Sequence, residues 1–263
     1  MNEASTVLLL VSKLIGFSLL LQTLEFFKIK ESFSENGIWK WSEVKKEYYY
    51  LPQLLKKFLD WIMSDKYFLD MLSLRFLLSF LLIVFPFWPV FQFFFLLVLF
   101  FITFLITIRF RGSFNGGSDY LSLILLLCLS VGFIHPILAK AALWYISLQV
   151  ISSYFLAGLI KIKERKWRDG TALKGFISSP SYQAPLILIN YTRDQNISKL
   201  LGFCVIFFEL SFPLVLTHPN ITIFYLVAGG LFHFSNFLIF GLNRFFFVWC
   251  ASYPAIHYCA QLI

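Results

Sequence analysis

Apolar residues run through this chain in long blocks separated by short polar stretches. Eight blocks approach the roughly 20 residues a helix needs to cross a bilayer: 7–27, 69–87, 90–108, 120–138, 141–160, 200–216, 221–242 and 245–263. The pattern predicts an all-α fold, a polytopic membrane helical bundle of about eight transmembrane helices with interfacial helices between them. No small-residue cleavage site follows the first block, so it reads as a retained helix. The Pro-Phe-Trp-Pro run at 86–89 predicts the turn of a helical hairpin, and His135-Pro136 marks a turn between the fourth and fifth spans. Thr171–Ile177 reads as a short interfacial helix, whereas 185–189 is too short to span. Residues 1–68 form an N-terminal membrane helix with a basic, aromatic segment, and 69–263 form a transmembrane core.

The polar stretches carry the charge. Between the first two spans, Trp39, Trp41, Tyr48, Tyr49, Tyr50 and Trp61 alternate with lysines, which suits the lipid headgroup region. Such a mixture also stacks single-stranded nucleic acid, but spans on both sides already explain it, and no nucleic-acid partner is expected. Seven lysines between 28 and 57, then Arg109 and Arg111, then Lys161 to Lys174, then Arg244 fall on one side of an eight-span bundle. The opposite turns are nearly free of lysine and arginine. That asymmetry predicts cytoplasmic basic loops, both termini outside, and a multi-pass protein of the cell membrane. Hydrophobic residues make up 59% of the 263 and charged ones 14%, so the net charge of +8 reflects orientation in a membrane. Cys128, Cys204, Cys250 and Cys259 form no CxxC pair and read as small apolar residues. Gly112, Gly116 and Gly117 lack the strand and Gly-Lys-Ser/Thr of a phosphate loop, and Ser118-Asp119 reads as the cap of the fourth span.

Ionisable groups at membrane depth are costly and usually pair, snorkel or work. Lys161 ends the fifth span, and Ser147, Tyr154 and Lys161 recur every seven residues on one helix face, with Gly158 beside them. The alternative is a loop lysine with its stem buried and its head among the headgroups. Glu209 lies inside the sixth span and is expected to point into the bundle, near Lys161, Lys13 or Arg244, as a structural ion pair or as part of a site. His233, Asn236 and Asn243 fall on one face of a seventh helix and would line a cavity there. His135 reads as an interfacial loop residue.

The run Tyr154-Phe-Leu-Ala-Gly-Leu-Ile-Lys161, with Gln149 before it and Trp167 after it, resembles the vitamin K-dependent gamma-glutamyl carboxylase superfamily. Bacterial members carry this core as a horizontally transferred transmembrane (HTTM) domain, and some serve the maturation of a sporulation-delaying toxin peptide. The later run from Phe232-His233 through Asn236 to Asn243 and Phe245 is similar to the family's second signature, and together the two cover about 70–260. Trp167, Arg168 and Asp169 resemble the post-lysine motif, displaced by one residue. The resemblance implies a base at Lys161, and His233 with Asn236 orienting a substrate or stabilising an anion. Gln149, Tyr154, Trp167, Glu209 and Asn243 are the companion substrate-binding candidates. It also implies a reduced quinone as cofactor, the lipid bilayer as surroundings, and a small secreted peptide and a partner maturation protein as partners. Two features depart from the animal enzyme: the glycine-rich loop has no histidine, and nothing matches the large extracellular domain that binds propeptides. A non-enzymatic factor for toxin maturation or export, and a transporter or lipid-handling protein, are the alternative readings.

Overall fold

A computed structural model describes residues 3–85, 88–110, 117–182 and 184–263. Among the described residues there are helices and no strands. They are α1 (Glu3–Lys28), α2 (Trp41–Val44), α3 (Gln53–Ile62), α4 (Asp65–Val84), α5 (Pro89–Phe110), α6 (Gly117–Gly132), α7 (Pro136–Lys163), α8 (Arg165–Arg168), α9 (Thr171–Ile177), α10 (Leu186–Thr192), α11 (Gln195–Ser211), α12 (Pro219–Phe240) and α13 (Asn243–Ala260). Short 3-10 turns occupy Lys30–Phe33, Lys45–Tyr48 and Phe212–Leu216. Among the described residues, six segments are long and apolar enough to cross a membrane: α1, α4, α5, α7, α11 with its 3-10 extension, and α12. The chain is a multi-pass membrane protein. Helix α6 has only 16 residues, and α13 carries Arg244, Pro254 and His257, so these two fall short on length and on apolarity.

Two boundaries differ from the sequence reading. The fourth span is not one helix to 138: α6 stops at Gly132, and α7 opens with Pro136 in its first turn. Proline disfavours a helical conformation in the residue before it and suits a first turn, where its missing N–H is not needed. His135 Nδ1 accepts the Ile137 N–H and closes the start of α7. Ser118 and Asp119 lie inside the first turn of α6 rather than at a cap before it. Residues 86–87, 111–116 and 183 lie outside the described residues, and with them Pro86 of the first hairpin turn, Arg111, Gly112 and Gly116.

The chain divides into two compact units, Met1–Ala142 and Leu143–Ile263. In the first, α1 packs on α4, α4 on α5, and α6 on both α5 and α1. Small residues set the α1–α4 approach: a Cβ on Gly16 would lie 3.3 Å from the Ser79 carbonyl and from a Leu82 methyl. Arg75 is buried between these helices, where its Nε donates to Thr23 Oγ1 at 2.8 Å and its Nη2 to Gln22 Oε1 at 3.1 Å. The segment between α1 and α4 is more than a headgroup coating. It folds over the end of α1, α4 and α5 around Phe26, Phe33, Trp41, Leu59, Met63 and Phe68. Arg109, fully buried, ties this cap down by donating to the backbone carbonyls of Phe33, Trp39 and Met63 and, at 3.1 Å, to Asp65 Oδ1. Helix α3 buries Leu59 and exposes Leu54, Leu55, Phe58 and Trp61, the two-faced pattern of a helix lying in a membrane surface.

In the second unit α12 packs on α13, and α9, α8 and α10 flank α11. Gly241, with φ 68°, ends α12: its N–H and that of Leu242 turn back to the carbonyls of Phe237 and Asn236. The Tyr182 and Phe240 rings meet at 5.0 Å, so the long polar connection after α7 and the α12–α13 turn share one end of this unit.

Candidate functional site

Helix α7 carries the site because seven residues make almost two turns, which brings Ser147, Tyr154 and Lys161 onto one face. Ser147 Oγ bonds back to the Leu143 carbonyl and sits 3.4 Å from Cys259 Sγ on α13. Two turns on, the buried Tyr154 hydroxyl lies 2.7 Å from His233 Nε2 on α12 and 2.9 Å from the Tyr253 hydroxyl on α13. After two further turns, Lys161 Nζ reaches both Glu209 oxygens on α11, at 2.6 and 2.7 Å. The face joins three other helices through polar side chains within a few turns.

Two glycines make these approaches feasible. A Cβ on Gly158 would come within 2.8 Å of the Leu210 nitrogen and 2.9 Å of Glu209 Cβ, so the missing side chain is what lets α7 and α11 close at the ion pair. On Gly229, one turn before His233, a Cβ would sit 2.5 Å from the Tyr253 hydroxyl and 3.2 Å from that of Tyr154. The hydroxyl pair occupies the room this glycine leaves.

The Lys161–Glu209 pair is set inside the protein. Glu209 is 3% exposed and lies nine residues into the apolar run that begins at Leu200, about 13 Å along the helix axis. The Lys161 side chain keeps 19% exposure, and its ammonium stands 5.2 Å from the centre of the Trp167 ring. The snorkelling alternative is therefore not what the geometry shows: the head of Lys161 is held by a carboxylate and an indole. Helix α7 ends two residues after Lys161, and the chain runs on beside α11 toward that helix's N-terminus, with Trp167 at Gly202 and Gly170 at Ser198 and Lys199. Gly170 has φ 85°, its carbonyl accepts from Ser198 Oγ at 2.8 Å, and any Cβ there would strike the Lys199 nitrogen.

Asp169 organises that turn. Its Oδ1 accepts the Thr171 hydroxyl at 2.6 Å and the Thr171 N–H at 2.9 Å, which starts α9. The side-chain bond from Thr171, followed by the backbone bond, holds its carboxyl below the usual carboxylate range, with Arg165 and Arg168 adding to this.

The other sequence candidates separate. Asn236 stands one turn beyond His233, where its carbonyl takes part in closing α12. Asn243 does not share that face. The left-handed Gly241 ends the helix, and Asn243 begins α13, where its Oδ1 accepts the Arg244 N–H. Gln149 lies about 140° around α7 from Tyr154, and its carbonyl serves Ser152 and Ser153. Tyr253, Trp249 and Gly229 complete the cluster without having been singled out in the sequence. The one usable signal was Gly229-Gly230 a turn before His233, in a helix otherwise filled with large side chains.

The ring of His233 is enclosed by aromatic side chains, with ring centres at 4.9 Å to Trp249, 5.2 Å to Phe232, 5.7 Å to Tyr154 and 6.3 Å to Phe245. A bicyclic quinone would have to displace these rings, so the residues around His233 do not fit that group. The chemistry that the site offers is a paired amine and carboxylate at one level and a hydroxyl–imidazole chain at another.

Residues 135–260 match the HTTM domain, and the match falls almost wholly on the second unit. A 102-residue stretch is 32% identical to the sporulation-delaying protein SdpB of Bacillus subtilis (strain 168), covering 36% of this chain and 32% of that protein. The aligned stretch thus spans about a third of the relative's length. No solved structure matches the chain.

Proposed function

We propose that this chain, whose residues 135–260 form an HTTM domain, is a cell-membrane factor that matures a small secreted peptide by base chemistry at the Lys161–Glu209 pair. The observation that carries the reading is the placement of Lys161: a half-buried ammonium held by both oxygens of one buried carboxylate. Transfer of one proton from Nζ to Glu209 converts ammonium and carboxylate into amine and carboxylic acid. The freed lone pair of Nζ can then take a proton from a bound substrate, and Glu209 holds the displaced one. Loss of charge on both partners is favoured where water is scarce, which gives burial a chemical purpose. The likeness to a sporulation-delaying protein supports a peptide as substrate.

The test is the mass and activity of the peptide secreted by producing cells that carry wild type, Lys161→Ala, Lys161→Arg or Glu209→Gln, with equal membrane insertion verified. All three variants are expected to abolish maturation, because arginine keeps the charge but does not readily surrender its proton. Maturation that survives Lys161→Arg would make the pair a structural link and the protein a non-enzymatic factor for maturation or export.

A further inference from the structure

The chain between α7 and α11 gathers positive charge that the ion pair at Lys161 does not use. From Lys163 to Lys199 it holds seven basic residues and three acidic ones. Two stretches far apart in sequence, 163–174 and 193–199, are folded together. Lys174 Nζ donates to the Arg193 carbonyl at 3.0 Å, Gln195 Nε2 donates to the Asp169 carbonyl, and Gly170 is packed against the backbone of Lys199. Lys163, Arg165, Lys166, Arg168, Arg193 and Lys199 are all exposed.

Two of the three acids are engaged by the turns they organise. Asp169 accepts the hydroxyl and N–H of Thr171, and Asp194 caps α11 by accepting the N–H groups of Asn196 at 2.7 Å and Ile197 at 3.3 Å. Among the described residues, none of the six exposed cations forms an ion pair. The lysines of the first unit's cap are arranged otherwise: Lys40 and Lys46 pair with Glu43, and Lys45 pairs with Asp60. Like charges gathered without counter-charges repel one another and attract anions from outside. The exposed apolar side chains beside them say what carries those anions. Phe176 on α9 and Leu186, Ile187 and Tyr191 on α10 are uncovered by protein. An anion dissolved in water leaves them wet, whereas a bilayer surface covers them and presents phosphates to the cations at once.

We propose that α8, α9, α10 and the first turn of α11 form a docking surface for anionic phospholipid. The six cations meet headgroup phosphates, and Phe176, Leu186, Ile187 and Tyr191 enter the layer beneath them. Arginine and lysine divide the work: the planar guanidinium of Arg165, Arg168 and Arg193 can hold a phosphate through two N–H groups, and the lysines add charge. The surface adjoins the ion pair through Trp167, whose ring stands 5.2 Å from the Lys161 ammonium, but it requires no base chemistry there.

The experiment titrates the full chain in dodecyl maltoside with dioctanoyl phosphatidylglycerol and counts bound lipid by native mass spectrometry. Wild type is expected to bind this lipid more tightly than dioctanoyl phosphatidylcholine. The triple variant Arg165→Gln, Lys166→Gln, Arg168→Gln should weaken binding about fivefold for each cation removed. Arg193→Gln with Lys199→Gln should weaken the same binding, because the fold joins the two stretches. Lys40→Gln with Lys45→Gln and Lys46→Gln removes equal charge from the cap and should leave it unchanged. Equal affinity for the two lipids, or an equal loss in both triple variants, overturns the proposal. Full displacement of the lipid by an equal concentration of inorganic phosphate or of pentaglutamate also overturns it, in favour of a free anion or an acidic peptide. Lys161→Ala is expected to bind the lipid as wild type does, so failure of the base reading and failure of this surface are told apart.

Discussion

Lys161 and Glu209 join the last turn of one helix to the last turn of another, with the nitrogen 2.6 and 2.7 Å from the two carboxylate oxygens. Breaking a buried pair by removing one partner costs about 3–5 kcal/mol, and the partial exposure of Lys161 places this pair toward the low end. Glu209→Leu is expected to lower the thermal unfolding midpoint clearly. The double variant Lys161→Met, Glu209→Leu should recover most of the loss, yet leave the secreted peptide immature. A double variant that restores maturation would assign the pair to stability alone.

Gly229 gives a second test, since its missing Cβ would lie 2.5 Å from the Tyr253 hydroxyl. Gly229→Ala should cost about 1–3 kcal/mol of overpacking. Adding Tyr253→Phe removes the oxygen that the methyl would strike, so the double variant is expected to unfold at a higher temperature than Gly229→Ala alone. Equal midpoints for the single and double variants would show that the tyrosine is not what the glycine accommodates.

Arg109 should resist replacement for a reason other than charge. Its guanidinium serves three carbonyls and Asp65 from one planar fork, whereas a lysine ammonium is a point donor. Each buried carbonyl left without a donor costs about 1–3 kcal/mol. Arg109→Lys is therefore expected to loosen residues 30–64, read as faster proteolysis of that segment in detergent while α11 to α13 stay protected. Unchanged proteolysis would refute the anchoring role.

Asp169 sets a pH dependence with a definite sign. Its carboxyl is depressed by the bonds from Thr171, so the ionised form stabilises the folded turn above the ordinary carboxylate range near 4. That stabilisation disappears as pH falls through the lowered folded value. The stability difference between wild type and Asp169→Asn should stay constant from neutral pH down to about 4 and shrink below it, as measured by thermal unfolding across pH. A difference that grows with acidity would contradict the assignment.

Helical periodicity made part of the site legible. Tyr154 and Lys161 share a face because both lie on one uninterrupted helix, and Glu209 stood out as a carboxylate within an apolar run. The same reasoning misplaced Asn243, because a seven-residue spacing assumes a continuous helix and cannot register that Gly241 turns left-handed. Tyr253 and Trp249 were invisible for another reason. In a chain with 34 phenylalanines an aromatic ring carries little information until its hydroxyl or N–H is seen to face a partner or to lack one. The cap over α1, α4 and α5 was read as a headgroup coating because Arg109, which ties it down, lies about 70 residues from the carbonyls of Trp39 and Phe33.

The course of the chain after Lys161 also bears on the depth of the ion pair. Trp167 and Gly170 lie against Gly202 and Ser198, so Arg165, Lys166 and Arg168 flank the first turns of α11. The helix thus has a basic-flanked N-terminal part and an apolar remainder, and Glu209 falls in the remainder, seven residues past Gly202. An interface drawn at those basic residues leaves the Lys161–Glu209 pair about 10 Å of helix axis beneath it.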